Sequence, residues 1–198
     1  MTETPNQTAD AATRVAAGAT RTRYDGFAIA LHWTTVVLVL LQFALGETWG
    51  WFPRPTRHLM VIAHMSFGII LALVIATRLV WRFLPGHRVR PAVTGSVEMA
   101  SKAVHWLLYG LLVFQAVSGF VLRWSGGESM SFFGLEIPPL IGKVSRATNH
   151  SIGDLHSWSG WAIVILAIGH AAAALYHHFG LHDQVLVRML PEGRKRVA

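Results

Sequence analysis

The segment Leu155 to His182, LHSWSGWAIVILAIGHAAAALYHHFGLH, contains no Asp, Glu, Lys or Arg and decides the fold. It exceeds the roughly 20 residues that a helix needs to cross a bilayer. His156 and His170 lie 14 residues apart within it. That is close to four helical turns, so both imidazoles project from one side of one helix, about 21 Å apart along its axis. In a hydrocarbon layer roughly 30 Å thick, one lies toward each face. Ionisable groups at such depths are rare and are read first as functional.

Composition agrees. Of 198 residues, 53% are hydrophobic and 14% charged, against about 25% charged in an average soluble domain; mean hydropathy is positive. The expected organisation is one membrane domain over residues 24–193, with a disordered cytoplasmic tail at 1–23 and a basic tail at 194–198. No repeat or low-complexity tract argues for a second unit. The formal charge of +7 comes from basic residues in short segments between apolar runs. These read as topology signals rather than as a nucleic-acid surface. The absence of cysteine excludes disulfides, thiolate zinc sites, iron–sulfur clusters and the attachment motif of c-type haem.

Three further windows lack formal charge: Gly26 to Gly46, His58 to Thr77 and Ala103 to Leu122. Four such windows predict an all-α, four-helix transmembrane bundle, since no run of alternating strands suggests a barrel. The first span is too long for a cleaved signal and reads as an uncleaved anchor. Lys and Arg number 3, 5 and 4 in the N-terminal tail, the Arg78 to Lys102 connection and the C-terminus, against 2 and 3 in the other two connections. The positive-inside rule then places both termini in the cytoplasm. Outside lie a short loop around Trp49 to Arg57 and a longer one from Arg123 to Asp154, punctuated by Gly126-Gly127 and Pro138-Pro139.

Under that topology the histidines match in depth. His64 and His156 lie on the outer side, His32 and His170 on the inner, and each pair draws on two helices. Haem suits two neutral imidazoles better than a bare metal ion does, because zinc or iron sites want three or four ligands, often carboxylates. A porphyrin brings four nitrogens and needs two axial histidines and an apolar slot, which Gly68, Gly119, Gly160 and Gly169 could line. With both axial positions taken, the chemistry favours electron transfer over oxygen activation. His105 and His177 are alternative inner ligands. His177, two turns beyond His170, could instead bond a propionate or a quinone. His178 and His182 fall at the inner interface, His58 and His150 at the outer, and His87 in the inner loop.

Leu31-His32-Trp33, Phe52-Pro53-Arg54 through Arg57 to His64, the run from His170 to His178 and the closing Leu186 to Pro191 together resemble the bacterial cytochrome b561 family over residues 24–193. The resemblance implies an inner-membrane protein with two haem b groups, whose iron ligands map to His32, His64, His156 and His170. It also implies exchange of electrons with the quinone pool, one member having been assigned superoxide oxidation coupled to ubiquinone reduction. This chain differs in its longer N-terminal tail.

Arg54 and Arg57, seven to ten residues before His64, are placed to attract superoxide to the outer site, or else to bind lipid headgroups or propionates. On the inner side His177, Arg82 and Arg78, with Trp33 as a packing surface, are candidate quinone contacts. Two functions compete. One is a superoxide:quinone oxidoreductase; the other is a cytochrome b anchor subunit carrying electrons between a dehydrogenase or hydrogenase and quinone. A histidine-lined metal transporter is disfavoured by the lack of intramembrane carboxylates.

Overall fold

The computed structural model describes residues 22–85 and 89–191, so most of both expected tails, and His87, lie outside the described residues. Four helices run alternately up and down: α1 Gly26–Thr48, α2 Arg54–Phe83, α3 Gly95–Ser125 and α4 Arg146–Phe179. All four are long and apolar enough to cross a membrane. The end of the bundle where α1 begins and α4 finishes is called the terminal end. The opposite end, the hairpin end, carries a 3-10 turn at Trp49–Trp51 and two short strands, β1 Met130–Phe132 and β2 Leu135–Ile137.

Capping residues, not the edges of hydrophobicity, set the helix limits. Asp25 Oδ1 accepts the Ala28 N–H at 2.9 Å and Ser145 Oγ the Thr148 N–H at 3.1 Å, each satisfying a free donor of a first turn. Pro55 stands in the first turn of α2, where no hydrogen bond is lost. With Ser145 as its cap, α4 begins at Arg146 rather than Leu155; α3 begins at Gly95 rather than Ala103, with no side-chain cap from Thr94. Gly126 and Gly180 follow the last turns of α3 and α4.

The buried core is thin and central: Leu38 from α1, Leu71 and Ile75 from α2, Leu112 from α3 and Ile163 from α4. Leu40, Leu73, Val117, Ile165 and Ile168 are more than half exposed, as lipid-facing side chains should be. Ile163 stands seven residues from both His156 and His170, so the apolar layer separates two histidine levels.

The long connection between α3 and α4, read from sequence only as turns, contains a hairpin. Its register pairs Phe132 with Leu135, leaving Phe133 and Gly134 as the loop, with φ of 49° and 93°. Positive φ at both positions is the demand of a type I′ turn. Phe133 is held there by its N–H donating to Ser66 Oγ at 2.8 Å and by its ring against Phe67 at 5.7 Å. Ser66 is fully buried. The hairpin thus lies back along α2, its loop backbone supplied with a partner by the protein rather than by solvent.

At the terminal end a strap over residues 183–190 crosses the start of α1. Arg23 donates to the carbonyls of Val187 and Leu190 at 3.2 and 2.8 Å, and Trp33 Nε1 to that of Met189 at 2.9 Å.

The helix pairs α1/α2 and α3/α4 carry a shared pattern that a linear scan misses, because its offset differs between helices. His32-Trp33, Gln42, Gly46 and Trp51 recur 73 residues later as His105-Trp106, Gln115, Gly119 and Trp124. Thr56, His58, His64 and Gly68 recur 92 residues later as Thr148, His150, His156 and Gly160. The contacts recur as well. A Cβ on Gly46 would stand 3.6 Å from His64 Cε1 and one on Gly119 3.2 Å from His156 Cε1, while Gly68 and Gly160 lie against the amide nitrogens of Gln42 and Gln115. The bundle is two versions of one helical hairpin.

Candidate functional site

At the hairpin end the His64 and His156 rings, from α2 and α4, stand 6.3 Å apart between centroids. Two imidazoles bound through nitrogen to one metal by bonds of about 2 Å hold their centroids about 6 Å apart. The pair therefore has the spacing of a bis-imidazole site. Trp49 covers His64 at 5.2 Å, and Gly46 and Gly119 let the adjacent helices approach the ring edges.

The polar surroundings of the two rings differ. Ser118 Oγ donates to the Gln115 carbonyl at 3.1 Å and lies 2.9 Å from His156 Nδ1. Its single proton is thereby used, so it accepts from Nδ1–H, and the lone pair of His156 is left on Nε2. The Gln115 amide occupies Nε2 at 3.2 Å, with Ser159 donating to the other end of the same amide. On the other ring, Gln42 donates to the His64 carbonyl at 2.9 Å, while His64 Nδ1 is buried without a hydrogen-bond partner among the described residues. An orphaned buried imidazole nitrogen, a tautomer that presents Nε2 and glycines against both rings fit a haem between His64 and His156.

The four glycines expected to line the slot differ in their neighbours. Gly68 and Gly160 pack on glutamines, and only Gly119 of the four meets a histidine; Gly46, not foreseen, does so too. Gly169 meets no neighbouring atom within 4 Å.

At the terminal end His32, His105 and His170 gather with Arg78. The His105 and His170 rings are 5.1 Å apart, and Arg78, His170 and His105 are the electrostatic neighbours of His32. His105 Nδ1 donates to the Ser101 carbonyl at 2.6 Å. Arg78 Nη2 approaches His32 Nδ1 to 3.3 Å. His105, read from the sequence as an alternative inner ligand, belongs to this cluster. Its repeat relation to His32 was the sequence signal that could have revealed it.

His177 Nδ1 donates to Asp183 Oδ2 at 2.5 Å. Partial desolvation works against the Asp183 carboxylate, but the His177 and Val185 hydrogen bonds and the charges of His177 and Arg188 outweigh it, holding its pKa below the ordinary value. The strap thus carries His177 at one end and the partner of Trp33 at the other. Arg82 lies over the Trp106 and Tyr109 rings, at 5.2 and 5.6 Å, and no bond joins it to His177 among the described residues. Arg54 and Arg57 are exposed at the start of α2, Arg57 donating to the Gly50 carbonyl at 3.1 Å.

Four apolar helices thus carry two levels of inward-facing histidines. A family model described as prokaryotic cytochrome b561 matches residues 23–192, and the chain belongs to that family. It is 32% identical over 178 residues to cytochrome b561 homolog 2 of Escherichia coli, covering 85% of this chain and 91% of that one. It is 26% identical to the probable superoxide oxidase CybB of Yersinia pestis, covering 87% and 98%, and 25% identical to cytochrome b562 of Cereibacter sphaeroides, covering 84% and 94%. The chain is a bacterial membrane electron-transfer protein, and its family carries b-type haem.

Proposed function

We propose that this chain holds two haem b groups in the inner membrane, oxidises superoxide at the hairpin end, which faces outward, and reduces ubiquinone at the terminal end, in the cytoplasmic half with both chain termini. The observation that carries this is the His64 and His156 pair at 6.3 Å, set in polar surroundings that put the lone pair of His156 on Nε2. The likeness to a protein named as a probable superoxide oxidase supports the donor.

His64 and His156 hold the outer haem, and His32 and His170 the inner one. Bound haem would supply one-electron transfer there. Arg54 and Arg57 put positive charge at the outer mouth, where it raises the encounter rate of an anion. Asp183 fixes the His177 proton on Nδ1 and leaves Nε2 to meet a quinone oxygen. Arg82, tied to its aromatic neighbours, is the weaker quinone contact. Two superoxide anions each lose one electron and leave as dioxygen, and one ubiquinone takes those two electrons and two protons to become ubiquinol.

The test uses the purified full chain in detergent with ubiquinone under a steady supply of superoxide. The proposal requires haem reduction and catalytic ubiquinol formation. Bound haem that stays oxidised would overturn it in favour of a cytochrome subunit waiting for a dehydrogenase or hydrogenase. His64→Ala and His156→Ala should each remove one of two haems and His170→Ala the other, whereas His105→Ala should leave both.

A further inference from the structure

The repeat breaks at one place, and the break falls beside the terminal-end histidines. The offset of 92 residues that carries His64 onto His156 carries Arg78 onto His170. The contacts follow the same correspondence: Arg78 bonds His32 within the first hairpin, and His170 meets His105 within the second. A fully repeated chain would offer two equivalent inner pairs, His32 with position 170 and His105 with position 78. Arginine at 78 removes the second pair and sets a permanent positive charge beside the first.

That charge is left uncompensated. Among the described residues no carboxylate pairs with Arg78; its contacts are His32 Nδ1 at 3.3 Å and the face of Tyr109 at 5.3 Å. The hairpin-end pair has no equivalent. Its neighbours are the neutral Gln115, Ser118, Gln42 and Trp49. A cation near one of two otherwise similar centres stabilises the added electron there, and the effect is large where the dielectric is low.

We propose that Arg78 is the residue that sets the direction of electron flow: its guanidinium makes the terminal-end centre the stronger electron acceptor and leaves the chain with one inner haem. The inference rests on the two-haem reading above. With both haems bound, the step would move one electron from the hairpin-end centre, oxidised by that one electron, to the terminal-end centre, reduced by it. No proton or atom is exchanged.

The experiment is a potentiometric titration of both haems, followed by absorbance, in the purified full chain and in Arg78→Gln and Arg78→Lys. Arg78→Gln should keep both haems and shift electron sharing between them at least tenfold toward the hairpin-end centre, about 59 mV for a one-electron couple. That shift should come from the terminal-end haem alone. Arg78→Lys, which keeps the charge, should shift it less. An unchanged terminal-end potential, an equal shift of both centres, or loss of the inner haem from Arg78→Lys and Arg78→Gln alike would overturn the proposal, the last by making Arg78 a haem anchor. The underlying reading fails separately: a wild-type chain with one haem, or a His170→Ala variant that keeps two, refutes the ligand assignment whatever Arg78 does.

Discussion

Replacing Ser118 with alanine isolates one atom of the outer site. Ser118 is 6% exposed and its Oγ lies 2.9 Å from His156 Nδ1. Once Nε2 is given to iron, the only proton of the neutral ring is on Nδ1, and Ser118 is its acceptor. Such a bond pushes electron density onto Nε2 and favours the ferric state, so its loss should raise the midpoint potential. A net neutral hydrogen bond is worth about 0.5–1.5 kcal/mol. Only the part that differs between oxidation states counts, so the rise should be about 20–50 mV, below the ~59 mV that a full tenfold change would give. Ser118→Thr, which keeps a hydroxyl, should restore the wild-type value. Ser118→Asp should lower the potential, since a carboxylate draws harder on the Nδ1 proton. The assay is a redox titration of the two haems resolved by their absorbance bands. A retained outer haem with unchanged or lowered potential in Ser118→Ala, or a shift confined to the inner haem, would refute the tautomer argument.

Gly119→Val should weaken retention of the outer haem alone, because even a Cβ would stand 3.2 Å from His156 Cε1 and overpacking of this kind costs about 1–3 kcal/mol; haem-to-protein ratios after dilution would measure it. Asp183→Asn should loosen the strap by about 1–2 kcal/mol, seen as faster amide exchange over residues 183–190. In the wild type the Asp183 pKa is lowered on folding, so its contribution is complete above the ordinary carboxylate range and is lost only as pH falls through the depressed folded-state value; exchange in the strap that rises between pH 8 and 6 would contradict this. Replacing Arg54 and Arg57 together with glutamine should slow superoxide-driven haem reduction severalfold at low ionic strength and little at high salt, as stopped-flow traces at two salt concentrations would reveal.

The four spans were legible because each apolar window was long, free of formal charge and bounded by basic connections. Their limits were less so, since the first turns of α3 and α4 are polar helix beyond the apolar run, and only caps such as Ser145 mark them. The β1–β2 hairpin was hidden because its loop pairs Phe133, not Asn or Asp, with Gly134, and the support for that strained residue comes from Ser66, 67 positions away. The depth match of His64 with His156 could be counted along the helices. His105 could be placed at the inner depth as an alternative ligand, but its ring contact with His170 could not, for depth says nothing of azimuth and the contact comes from the facing of α3 and α4. The repeat carried that information, but two different offsets kept it out of view until the helices were paired.

The placement of the apolar layer bears on coupling. Leu38, Leu71, Ile75, Leu112 and Ile163 close the centre of the bundle between the two histidine levels, and a chain of proton carriers through it would need polar groups that those side chains do not supply. Desolvation sets a high cost on protons and ions crossing that layer, whereas an electron needs no such chain of polar groups. In the proposed function the protons of ubiquinol must then come from the terminal end, where Asp183 of the strap bonds His177 of α4. Superoxide consumed on one side and protons consumed on the other would make turnover move charge across the membrane, and the side from which protons vanish in sealed vesicles is the observation that the layering dictates. Proton uptake on the hairpin side would contradict it.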